Sequence, residues 1–252
     1  MLYSAKFTMS KNQDAPHLQS PMNEGILLVN KPRGKTSFSL VSLLRKCTQI
    51  KKIGHAGTLD PFATGVMVML IGKSFTRLSD QFLTQDKEYE AKLHLGIETD
   101  TYDCEGTIVS QNPTIPTICS IESALNAFQG AILQIPPMFS AKKIEGQKLY
   151  DLARKGIVIE RKPVLVQLNT TLISYTYPYL QLKIHCSKGT YIRSIAHDLG
   201  EILGIGAHLC ELTRTRSGPY HLKDCLEEAQ LLDPTLRLNE WLKTYDHCDK
   251  AS

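Results

Sequence analysis

No stretch of this 252-residue chain approaches the ~18 consecutive apolar residues that a membrane-spanning helix needs. Seven cysteines are scattered without a C-x-x-C pair, and the count is odd. Zinc-finger spacing and a disulfide framework are therefore not expected, and the thiols read as reduced groups of a cytoplasmic protein. Residues 1–23 lack the apolar core of a secretory signal and contain no arginine, which weighs against a transit peptide. They read as a disordered extension, with Met22 a possible true start just ahead of the first strand. No internal repeat and no low-complexity linker interrupts the remainder. Gly204-Ile205-Gly206 is no dinucleotide fingerprint, because it follows a helix and lacks the third glycine. Asp100, Asp103 and Glu105 lack the regular alternation and length of a calcium loop.

What is present is ordinary in bulk and unusual in one place. Hydrophobic residues make up 42% and charged residues 21%, as in a soluble globular chain with ample material for a core. The net charge of +4 permits a nucleic-acid partner without demanding one. The unusual place is Gly54-His55-Ala56-Gly57-Thr58-Leu59-Asp60-Pro61, continued by Phe62-Ala63-Thr64-Gly65. It reads as a loop that presents one carboxylate. Its glycines allow positive φ or close backbone approach, and Pro61 biases Asp60 away from helix. The apolar run Val66–Ile71 follows at once, so Asp60 stands just before rigid framework. A carboxylate held there can be a nucleophile, a base, a metal ligand or a turn residue, and the turn is the commoner meaning of Asp before Pro.

The periodicities place the rest. Ile26–Val29 is a short apolar strand, ended by the loop Asn30-Lys31-Pro32-Arg33-Gly34. Thr36 or Ser37 can cap a helix with Leu40, Val41, Leu43 and Leu44 on its apolar face. Lys87–Leu95 alternates with period two, which puts Tyr89 on the inward face with Ala91, Leu93 and Leu95. Ile121, Ala124, Leu125 and Phe128 mark a helix closed by Gly130. From 135 to 163 the chain turns basic, with Lys142, Lys143, Lys148, Arg154, Lys155, Arg161 and Lys162 interleaved with Phe139 and Tyr150. Such a lobe suits RNA, although a solvated insertion explains the charge almost as well. A strand over 180–186 leads into a helix from Tyr191 to about Leu203. Arg193 falls in its first turn, off the apolar stripe, where a cation opposes the helix dipole and invites a carboxylate partner. A last strand spans Leu209–Thr215, and a short helix surrounds Leu226.

The pattern G-H-x-G-T-L-D-P-x-A-T-G resembles the catalytic motif of the TruB family of tRNA pseudouridine synthases. Further stretches match the same family in order: Gly25 to Pro32, Asp86-Lys87-Glu88-Tyr89, Ile135 to Ala141 with Gly146 to Tyr150, and Cys186 to Arg193. The resemblance implies an α+β pseudouridine-synthase fold, a mixed and mainly antiparallel sheet with flanking helices and a basic RNA-binding insertion. It implies a catalytic domain over 24–217 with its lobe at about 135–163. Residues 218–252 are then a short C-terminal helix and tail, with no full PUA domain. By the same resemblance, Asp60 is the catalytic aspartate, Tyr89 the active-site tyrosine and Arg193 the arginine paired with the aspartate. His55 supports the flipped-out T-loop. Lys31, Pro32, Tyr191 and Leu212 are pocket positions. Gly57, Thr58, Lys142, Lys143, Lys148 and Tyr150 complete the expected RNA-binding set. Asn30 departs from the aspartate expected before Lys-Pro.

The implied reaction isomerises the uridine at tRNA position 55, in the T-loop, to pseudouridine. It breaks a C1′–N1 bond and remakes it to C5 without redox change. A carboxylate can hold the covalent intermediate, by attack at C1′ or at C6 of the base. The reading calls for no metal and no cofactor, tRNA as partner, no membrane, no required protein partner, a monomer and a cytoplasmic location. Three rivals stand beside it: a guide-RNA-dependent relative, a tRNA-binding folding chaperone and a small-molecule hydrolase using Asp60.

Overall fold

The computed structural model describes residues 24–140, 142–144 and 146–245; the expected N-terminal extension, residues 1–23, lies outside them. The described chain opens with β1 (Gly25–Lys31), α1 (Ser37–Thr48), β2 (Ile53–Ala56) and β3 (Thr64–Ile71). Strands β1 and β3 pair antiparallel, and both are apolar at nearly every position. The reason is that both faces are covered. Leu27, Val29, Met67, Met69 and Ile71 point into the main core, while Ile26, Leu28, Val66, Val68 and Leu70 point into a second, smaller one with Phe82. Thr36 caps α1, its hydroxyl accepting from Ser39 N at 3.1 Å.

Two short helices, α2 (Lys73–Thr76) and α3 (Ser79–Leu83), lead to β4 (Lys87–Leu95), whose burial alternates as its sequence does. The hairpin β5 (Ile97–Thr99) and β6 (Ile108–Gln111) follows, then α4 (Ile118–Leu125) and β7 (Gln129–Gln134). Gly130, expected to close the helix, lies within β7 instead. The helix has already ended at Leu125, passing into a 3-10 turn over Asn126–Phe128. The basic stretch carries a small hairpin, β8 (Lys143–Ile144) and β9 (Gln147–Lys148), and α5 (Leu149–Ala153).

The long strand β10 (Val164–Thr176), which periodicity did not reveal, pairs with β7 on one side and with β11 (Tyr179–Cys186) on the other. Then come α6 (Ile192–Leu203), β12 (Ala207–Ser217), β13 (Tyr220–His221) and α7 (Glu228–Leu231). Leu226 is not helical: it bridges to Val29 beside β1, and the short helix begins two residues later.

The main sheet has the order β1-β3-β12-β4-β11-β10-β7, with β2 added to β3 and β13 to β12. Every pairing in it is antiparallel except β12 with β3. That one parallel contact joins Thr213 and Arg214 to Thr64 and Gly65. It brings the end of the Asp60 loop against the last long strand.

Candidate active site

The loop between β2 and β3 is held by its apolar members. Leu59, Phe62 and Ala63 are buried on either side of Asp60. Ser37, at the start of α1, clamps Leu59 from both directions: its hydroxyl accepts from Leu59 N at 3.0 Å and donates to Leu59 O at 3.1 Å. Gly34 N donates to the Pro61 carbonyl at 2.8 Å, and Ala63 N to the Asp60 carbonyl at 3.1 Å. Gly54, His55 and Ala56, expected as loop, form β2 against β3, so the flexible stretch is shorter than the motif.

Fixed in this way, the Asp60 side chain keeps 36% of its surface exposed and meets Arg193, which is nearly fully buried. Arg193 Nε lies 2.9 Å from Asp60 Oδ2, and Nη2 donates to Oδ1 at 3.3 Å, a two-point pair. The rest of the guanidinium is also committed. Nη2 donates to the Phe139 carbonyl at 2.8 Å and Nη1 to the Thr101 carbonyl at 3.2 Å. Nη1 further pairs with Asp103 Oδ2 at 3.3 Å. Asp103 is itself braced, accepting on Oδ1 from the Thr101 hydroxyl at 2.7 Å and from Glu105 N at 3.0 Å. The cation in the first turn of α6 thus has two carboxylate partners. Burial pushes the Asp60 carboxyl above the usual carboxylate range; Arg193 opposes that shift and Asp103 adds to it.

Arg193 is placed by the start of α6, which Gln134 caps in place of a local side chain. Its amide oxygen accepts from Tyr191 N at 2.8 Å, and its nitrogen donates to Tyr191 O at 3.0 Å. Tyr89 is buried on β4, its phenol raised by that burial and pulled back by a hydrogen bond and charge from Arg214. Arg214, 1% exposed, lies on β12 within the last strand that the sequence marks.

Lys31, expected as a wall of the RNA pocket, is fully buried beneath the loop. Its amine donates to the carbonyls of Pro32, Lys35 and Pro61, so it faces the loop backbone and not the surface. Desolvation lowers its pKa to about 8. His55 holds a buried Nδ1 with no hydrogen-bond partner, and burial followed by the Arg214 charge lowers its pKa. Thr58 is exposed, whereas Gly57, Pro32 and Tyr191 are half-buried and Leu212 is buried on β12. Lys142 and Tyr150 lie on the basic lobe, which reaches the site through the Phe139 carbonyl. The side chains of Lys143 and Lys148 lie outside the described set.

The fold therefore brings Asp60, Arg193, Asp103, Tyr89, Arg214 and the Lys31 amine into one region. Asp103 and Arg214 escaped sequence reading. The signal for Asp103 was the unpaired cation at the start of α6, which called for a carboxylate without saying which. Glu98, His197 and Glu201 bring ligand-type atoms within 4.8 Å of one another, but His197 is already set 3.3 Å from Glu98 and stacked on Tyr102. Among the described residues, no helix is long and apolar enough to cross a membrane. The chemistry on offer is a fixed, reachable carboxylate beside a buried phenol.

Residues 45–192 match the family described as TruB family pseudouridylate synthase (N terminal domain), and residues 193–246 match the tRNA pseudouridylate synthase B C-terminal domain. The chain is 65% identical over 208 residues to the tRNA pseudouridine synthase B of Protochlamydia amoebophila (strain UWE25), covering 82% of this chain and 79% of that protein. It is 56% identical over 229 residues to the protein of the same name from Chlamydia abortus (strain DSM 27085 / S26/3), covering 91% and 97%. A solved chain from a Cbf5-Nop10-Gar1 complex superposes with a TM-score of 0.66 at 27% identity, over 83% of this chain and 54% of that one. This chain thus spans about half the length of that structural relative.

Proposed function

The chain belongs to the TruB family of pseudouridylate synthases and is a tRNA pseudouridine synthase; we propose that its target is the uridine at position 55 of the T-loop, flipped into the site and attacked by Asp60. The observation that carries this reading is the two-point pair between Arg193 and Asp60, at 2.9 and 3.3 Å, which aims a reachable carboxylate from a buried cation. The pair favours the anion, the form a nucleophile needs, against the effect of burial.

A uridine stacked in an RNA loop hides its reacting atoms, so flipping it out, at about a few kcal/mol, precedes chemistry. Tyr89 is then available to stack on the base and to move a proton away from water. His55, half-buried on β2 just before the Asp60 loop, is assigned RNA contact and not acid–base work. The RNA contacts assigned to Thr58, Pro32, Tyr191, Leu212 and the basic lobe belong to the same proposal, with 24–217 as catalytic unit. Lys31 serves it from below, through the Pro61 carbonyl. We place the enzyme in the cytoplasm as a monomer that needs no protein partner.

The test uses unmodified tRNA transcript, the wild-type protein and Asp60→Asn, with pseudouridine mapped by carbodiimide labelling and primer extension. A single stop at T-loop position 55 with wild type alone is the expected result. A stop elsewhere refutes the target, and normal turnover by Asp60→Asn refutes the nucleophile. Tight binding without any stop points to the chaperone alternative.

A further inference from the structure

We propose that Arg214 is a positioning residue that supplies Tyr89 with its counter-charge, its guanidinium held in place by both ends of the Asp60 loop. The proposal rests on the reading of Tyr89 as the group that moves a proton. Arg214 stands at a crossing of three strands: in register it faces Tyr89 on β4 and Gly65 on β3. Its guanidinium reaches the catalytic loop at both ends. Nε donates to the Val66 carbonyl at 2.8 Å, just past the loop, and Nη2 to the Gly57 carbonyl at 3.1 Å, just before Asp60. Nη2 also lies 3.1 Å from Met67 Sδ. The strand fits closely here: a Cβ on Gly57 would sit 3.3 Å from Arg214 Nη1, and one on Gly65 only 2.3 Å from the Arg214 carbonyl oxygen.

Holding a loop requires donors, not a charge, and a charge buried to this depth is unfavourable unless something answers it. Carbonyls and a thioether solvate the guanidinium but do not neutralise it. Among the described residues no carboxylate pairs with it. The group beside it that can become an anion is Tyr89, its cross-strand partner in register on β4.

The isomerisation removes one proton from uracil C5 and adds one to N1. A phenol that gives its proton to N1 as the C1′–N1 bond breaks, then takes the C5 proton after the C1′–C5 bond forms, ends unchanged. Between those steps it is a phenolate in a dry pocket. Around that phenol the Arg214 charge favours the anion, whereas Cys186 and Asp60 oppose it. A lysine, with one point charge and no fork, does not serve the two carbonyls and the phenol together.

The experiment measures single-turnover pseudouridine formation and tRNA affinity for wild type, Arg214→Gln, Tyr89→Phe and the double variant. Arg214→Gln is expected to slow the step by about 100-fold, with affinity changed by less than about threefold. Added to Tyr89→Phe, it is expected to cost less than about threefold more, because its effect runs through the missing phenol. An equal loss in both backgrounds would make Arg214 a mere strut for the loop and overturn the proposal. Wild-type turnover by Tyr89→Phe would instead overturn the reading of Tyr89, a different outcome. Should Arg214→Gln fail to fold, citrulline in place of Arg214, neutral and of nearly the same shape, with 3-fluorotyrosine at position 89 reads the phenol directly by ¹⁹F NMR titration. A higher midpoint than in wild type supports the proposal, and an unchanged midpoint refutes it.

Discussion

Asp103 and Arg193 form an ion pair at 3.3 Å in which each side chain is only 6% exposed, while Asp60, on the same guanidinium, is 36% exposed. The two carboxylates therefore do different work. Asp103 is buried and braced by Thr101 and Glu105, so it holds the arginine still. Asp60 is left reachable. Asp103→Ala is expected to destabilise the fold by about 2–3 kcal/mol in urea melts, because it leaves buried donors unanswered. It should slow single-turnover modification at least about tenfold with tRNA affinity retained. Unchanged stability and rate would assign the bracing to the two backbone carbonyls alone.

The Arg193 charge also sets the acid limit of activity. Burial raises the Asp60 carboxyl and Arg193 lowers it, so removing the guanidinium raises it further. Arg193→Gln is therefore expected to move the acid limb of the rate–pH profile to higher pH. Arg193→Lys, which keeps the charge, should move it less while still losing the two-point aim. A limb that stays in place for both variants would separate it from Asp60.

Gly65 enters β3 at φ +109°, with the Arg214 backbone directly against it. A methyl group there meets carbonyl, amide and carbonyl carbon at once, none of which can swing aside. Gly65→Ala is expected to lower stability by about 3 kcal/mol, combining unfavourable φ with overpacking. It should also part the one parallel strand contact, read as loss of amide protection at Thr213 and Arg214 in hydrogen exchange.

Buried Lys31 makes stability depend on pH with a defined sign. Its pKa falls from 10.5 to about 8 on folding. Between those values the unfolded chain holds a proton that the folded chain has released, so stability rises with pH across that window. The Cys186 and Cys225 thiols, pushed up to about 11 and about 12, act in the opposite direction. The readout is therefore the difference between wild type and Lys31→Met. From pH 7.5 to 9.5 it should move in favour of wild type by about 1–2 kcal/mol in denaturant titrations. A flat difference would mean that the lysine keeps its proton.

Local pattern alone determined the Asp60 loop, the inward face of β4 that carries Tyr89, and the apolar stripe of α6. Each depends on neighbours within a few positions, where periodicity and turn chemistry act. Even the unmet demand of Arg193 for a carboxylate was legible, because the dipole of its own helix made it visible. The tertiary structure decided which groups meet that demand. Asp60 and Arg193 are 133 positions apart, and Arg214 and Gly57 are 157 apart. Strand register brings such pairs together, and register is set by the packing of both faces of β1 and β3 and by the parallel seam between β12 and β3. Helix closure at Gly130 and a helix at Leu226 failed for the same reason. Sheet pairing with β10 and bridging to β1 satisfied those backbones through distant partners that local spacing does not contain.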